Sequence, residues 1–122
     1  MSLFCLFLGE AVEDRFEVST KKKRTVYRLQ EAIKNKNENY LKDIDARKLR
    51  LWKVAIPTGY ENDKLKLLNS KSHDQINLQQ DLGGKFLDAG ELIEDHFERN
   101  TKTTKQISIL IQLPGKYQYF IF

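Results

Sequence analysis

Cysteine is nearly absent from this sequence. Cys5 stands alone among 122 residues, so no internal disulfide can form and a disulfide-stapled scaffold is excluded. Proline occurs twice and glycine six times, far from collagenous or low-complexity composition. No apolar run approaches the roughly 18 residues that a membrane-spanning helix requires. The two histidines, His73 and His96, lie in separate segments with no second His or Cys at i+3 or i+4, which is not a metal-ligand spacing. Carboxylates are scattered among lysines without the pairing of a known mechanism. No catalytic residue is therefore assigned, and no metal, cofactor or small-molecule substrate is expected.

What is present describes a folded domain. Apolar residues make up 40% and charged residues 31% of the chain, near the globular average. The length suits one domain, which buries roughly two-thirds of its unfolded surface and needs no disulfide or structural metal. Lys and Arg number 21 against 17 Asp and Glu, for a net charge of +4. This mild basicity is not the clustered charge of a committed nucleic-acid binder. A protein partner or a second copy of the chain is the expectation, and nucleic acid is not.

Apolar patterning sets out the elements. Leu3 to Leu8 is a continuous apolar run closed by Gly9, as in a strand covered on both faces. No basic residue precedes it and Gly9-Glu10 follows at once, a poor fit to a cleavable signal peptide. Arg15 to Ser19 alternates Phe16 and Val18 with charged neighbours, so a hairpin is expected. Thr25 caps a helix on which Val26, Leu29 and Ile33 form one stripe, running out in Asn35 to Asn39. Lys48 to Ile56 predicts a strand stopped by Pro57, with Leu49 and Leu51 on one face and Trp52, Val54 and Ile56 on the other. From Thr58 to Lys105 the pattern is irregular. Lys64 to Leu68 and Glu91 to Phe97 suggest short helices there, and Gly83-Gly84 and Gly90 suggest turns. Ile107 to Leu113 alternates as a strand, with Ile107, Ile109, Ile111 and Leu113 on one face, and Pro114-Gly115 ends it. The result is an α+β fold, a mixed sheet on one main helix with a right-handed crossover wherever the helix joins parallel strands.

Several residue groups invite a functional reading. Cys5 shares an inward face with Leu3 and Phe7, so its thiol is expected to be buried and inert. Gly83-Gly84-Lys85 lacks the upstream Gly and the following Ser or Thr of a phosphate loop. Lys21, Lys22, Lys23 and Arg24 have the composition of a nuclear import signal or of a solvated loop before a helix. Phe4, Leu6, Leu8, Trp52, Val54 and Leu110 share the sheet face opposite the helix. That apolar face is either covered by the 58–105 segment or offered to a partner.

The element order and helix pattern resemble the β-grasp of ubiquitin. Leu3-Phe4-Cys5 matches its first strand, Thr25-Val26 with Leu29 and Ile33 its helix, and Arg50-Leu51-Trp52 its third strand. The chain ends in Tyr119-Phe120-Ile121-Phe122 and not in the diglycine of a conjugated modifier. More specifically, the opening Leu3-Phe4-Cys5-Leu6, the stretch Leu41-Lys42-Asp43-Ile44-Asp45-Ala46 and the segment Lys48 to Val54 resemble the N-terminal domain of Crinkler effector proteins, a secreted family of oomycetes and fungi. Many oomycete members carry Leu-x-Leu-Phe-Leu-Ala-Lys here, a motif tied to delivery into host cells. In this chain Leu49 and Leu51 match, Trp52 replaces Phe, and Lys53-Val54 stands in place of Leu-Ala, as in the fungal form. The family's terminal His-Val-Leu-Val-x-x-Pro is similar to Ser108-Ile109-Leu110-Ile111-Gln112-Leu113-Pro114, with the Ile changes keeping strand character.

The resemblance implies a ubiquitin-like, Crinkler-type header domain over residues 1–114 with a delivery and interaction role and no catalysis. It also implies secretion and action in a host cell, with the host nucleus as a candidate destination. Residues 115–122 are expected to form a short apolar tail with no effector domain. The alternatives are an intracellular ubiquitin-like adaptor that binds through the outer sheet face and a truncated effector that has lost its C-terminal domain.

Overall fold

A computed structural model describes residues 1–69, 76–97 and 105–115. Its strands are β1 (Ser2–Phe7), β2 (Phe16–Ser19), β3 (Arg50–Pro57), β4 (Lys85–Phe86) and β5 (Gln106–Gln112). Its helices are α1 (Val26–Lys36), α2 (Asp63–Leu68) and α3 (Leu78–Leu82). One five-stranded sheet runs in the order β2-β1-β5-β3-β4. The central pair β1 and β5 is parallel, and every other pairing is antiparallel. The fold is the expected α+β class, a mixed sheet with few helices, and it is consistent with a ubiquitin-like β-grasp.

Local chemistry explains α1. Thr25 stays extended and its side chain accepts the Arg28 N–H at 3.3 Å, satisfying one orphan donor of the first turn. The Val26 and Tyr27 N–H groups are taken by the carbonyls of Glu91 and Ala89. The 88–97 segment is thereby fastened to the start of the helix, and an isolated bridge joins Thr25 to Leu92. Val26, Leu29 and Ile33 pack on Leu3, Cys5, Phe7, Leu51, Ile109 and Ile111 of the sheet to form the inner core. Gln30 is buried beside them, where its Nε2 donates to the Leu49 carbonyl at 2.6 Å.

A second core fills the opposite face. Leu6, Leu8, Val54, Ile56, Ile107 and Leu110 are covered by Leu68 of α2 and by Leu78 and Leu82 of α3. Strict alternation places Ile107 with Ile109 on the inner face, and the structure corrects this. The β3–β5 register shifts between Lys53 and Ile56, so that Ile56 opposes Ile107 and both join the outer core. An extra residue in one strand ends strict alternation at that point. The helix expected over Glu91 to Phe97 is reduced to a 3-10 turn at Ile93–Asp95, and α3 and β4 arise where the sequence pattern is irregular.

Candidate functional site

β3 and β5 bring the two signature segments together. Leu51 faces Ile111, Trp52 faces Leu110 and Lys53 faces Ile109 across an antiparallel ladder. β5 is the middle strand of the sheet, and Ile109, Leu110 and Ile111 are fully buried. Leu49 and Leu51 are buried in the inner core and Val54 in the outer core. Pro114 is half-buried beyond the end of β5. In the folded chain, Leu49, Leu51 and Val54 are core side chains that no partner can touch without opening the sheet.

Trp52 and Lys53 are the half-buried members of the signature, one on each face. The indole packs edge-on to the Phe86 ring at 5.5 Å, and its Nε1 donates to Gln112 Oε1 at 3.2 Å. Lys53 lies on the inner side, where Nζ donates to the His96 carbonyl and sits 5.2 Å from the Phe97 ring centroid. His96 is buried, with Nε2 3.1 Å from Glu91 Oε1. Lys53 thus ties β3 to the segment that closes the start of α1.

Of the two readings open for the outer sheet face, cover or docking, the structure shows it largely covered. Leu6, Leu8, Val54 and Leu110 are buried beneath α2 and α3, because Leu68, Leu78 and Leu82 supply the apolar groups that face demands. Phe4 remains half-buried near the β2 edge, with the Arg15 guanidinium 5.9 Å from its ring centroid. Trp52 is the other member still reachable, at the opposite side of the sheet.

The basic run lies before α1 with Lys21, Lys23 and Arg24 exposed and Lys22 half-buried. Its backbone is held in a turn: the Arg24 N–H reaches the Lys21 carbonyl, and the Arg24 and Lys22 carbonyls accept the Ile93 and Glu94 N–H groups. Cys5 is fully buried, and burial pushes its thiol well above the ordinary value. Among the described residues, no three His, Cys, Asp or Glu side chains gather as a metal site. His73 and residues 116–122 of the apolar tail lie outside the described residues.

Pattern reading missed Arg50, whose guanidinium lies 4.9 Å from the Phe86 ring centroid, and Gln112, which holds the Trp52 indole. A faint signal exists at β4, since Lys85-Phe86-Leu87 alternates directly after the turn at Gly83-Gly84.

A family model described as the Crinkler effector protein N-terminal domain matches residues 1–112. A curated relative, Crinkler effector protein 1 of Rhizophagus irregularis, is 29% identical over 76 residues, or 62% of this chain. The aligned stretch covers 16% of that relative's length. No solved structure matches the chain.

Proposed function

The chain belongs to the Crinkler effector protein N-terminal domain family, and on that premise we propose that it acts as a folded delivery and interaction module that performs no catalysis. Residues 1–114 form that module in this reading, and the protein is secreted and acts inside a host cell. The observation that carries the proposal is the family match across residues 1–112. The ladder that joins Leu51 and Trp52 to Ile111 and Leu110 supports it, because the two family signatures lie side by side in one folded unit. Leu49, Leu51, Trp52, Lys53 and Val54 serve delivery in this proposal mainly by holding the strand, with Trp52 the member that a partner can reach. Lys21 to Arg24 are the candidate nuclear import signal. The adaptor alternative is weakened, because the apolar outer face it needs is occupied by α2 and α3.

The test is a reporter fused to the C-terminus of the full chain and followed in the producing cell, the medium and co-cultured host cells. Reporter inside host cells is the expected result. Retention in the producing cell would overturn the delivery reading and favour an intracellular adaptor. A Trp52→Ala chain that keeps its melting temperature yet delivers less reporter would assign the accessible part of the signature.

A further inference from the structure

β4 leaves one edge of the sheet open. It is the last strand in the order, and among the described residues no strand pairs with its outer side. The Leu87 N–H donates to the Leu51 carbonyl at 2.9 Å, while Phe86 is the ladder partner of Trp52. In an antiparallel pair the residue next to a hydrogen-bonded position turns its own N–H and C=O away from the partner strand. The Phe86 backbone groups therefore face outward, a donor and an acceptor ready for one more strand.

Side chains at the same edge carry a consistent charge. Phe86 is 43% exposed, with Arg50 stacked on its ring and Trp52 beside it. Lys85 is exposed and sits directly opposite Lys53, a like-charge cross-strand pair that is unfavourable by itself. Among the described residues, Arg50 and Lys85 have no carboxylate within ion-pair distance. The nearby Asp88 is committed to its own turn, where Oδ1 accepts the Gly90 N–H at 2.9 Å. Among the described residues, an aromatic platform meets cations without a carboxylate partner and an unpaired strand edge, which is the composition of an interface anchor.

We propose that the β4 edge, with Arg50, Trp52, Phe86 and Lys85, binds an extended acidic peptide of a partner protein, which adds as a strand beside β4. On one face of the added strand apolar side chains lie on Phe86 and Trp52 with a carboxylate reaching Arg50 beside them, and on the other face carboxylates neutralise Lys85. A nucleic-acid backbone would satisfy the cations but offers no N–H to the outward Phe86 carbonyl, which is why the peptide is favoured. The proposal goes beyond delivery and holds or fails in the purified chain, whether or not a reporter reaches a host cell.

Selection of random ten-residue displayed peptides on the full chain tests it, followed by titration of the enriched sequence against the emission of Trp52, the sole tryptophan. Enriched peptides are expected to alternate Asp or Glu with apolar residues and to change the indole emission saturably. Affinity should fall about tenfold or more in Arg50→Glu and in Phe86→Ala, as loss of a charge pair or an aromatic anchor implies. Backbone N-methylation of the peptide should have a similar effect by removing strand hydrogen bonds. Both positions are exposed, so unchanged melting temperatures in the variants show that the fold is intact. The proposal is overturned if no peptide is enriched, if the enriched peptides are neutral or basic, or if they bind both variants as well as the wild type. Tighter binding of a single-stranded oligothymidine or of anionic vesicles would also overturn it and assign the cations to phosphate.

Discussion

Trp52 shows how much a single position is asked to do: its indole is half-buried against Phe86, bonded to Gln112, and part of a strand otherwise committed to two cores. Cys5 is the opposite case, fully buried in the inner core with its thiol disfavoured from ionising. Labelling of Cys5 by a thiol reagent should therefore be negligible in the native chain and should rise with denaturant in step with global unfolding. Rapid labelling in native buffer would show that the inner core is open. Asp45 behaves differently again at the surface. The Arg47 guanidinium and backbone N–H both bond its carboxylate and lower its pKa from 3.8 to about 2. Because the folded value is depressed, the favourable contribution is present above the ordinary carboxylate range and is lost as pH falls towards about 2. A carbon-13 titration of the Asp45 carboxyl should give a midpoint of about 2, and Arg47→Ala should return it to the ordinary range.

Among the elements, the β3–β5 ladder holds the two signatures and both cores. Leu51→Ala should cost about 2–5 kcal/mol, since it truncates a side chain buried in the inner core. Loss of the Thr25 cap in Thr25→Ala should cost only about 1 kcal/mol. Urea unfolding of the two variants should rank them in that order. Gly84→Ala tests the α3–β4 corner, where an added Cβ would come within 2.7 Å of the Leu78 carbonyl oxygen. That clash is with backbone, so the substitution should lower stability by about 1–3 kcal/mol and disturb Trp52 emission.

The legibility of these elements follows from their length and period. α1 and β5 have enough residues to display a repeat and β1 is a continuous apolar run closed by Gly9, so the apolar pattern locates all three. β4 has two residues and α3 five, too few for a period to emerge. α3 did carry capping signals, with Asn77 accepting the Gln80 N–H at its start and Gly83 left-handed at φ 65° at its end. The site was legible where the family signatures run, from Leu49 to Val54 and from Ile109 to Pro114. Arg50 and Phe86 were not legible as a pair, because their contact depends on a ladder between distant segments that no local pattern encodes.

At the scale of the whole molecule, one sheet separates two apolar cores. Leu3, Cys5, Phe7, Leu51 and Ile109 pack towards α1, and Leu6, Val54, Ile56 and Leu110 pack towards α2 and α3. Covering the second face turns most of its apolar side chains into core and leaves Phe4 and Trp52 half-buried at the sheet margins. The strand that carries Leu51 and Val54 is therefore an integral part of both cores. Native-state amide hydrogen exchange tests this most directly. The hydrogen-bonded amides of β3 and β5 should exchange only through global unfolding, with protection matching the free energy measured by urea. Fast exchange along Leu51 to Val54, with β5 still protected, would contradict it and show that the signature strand detaches from the folded chain.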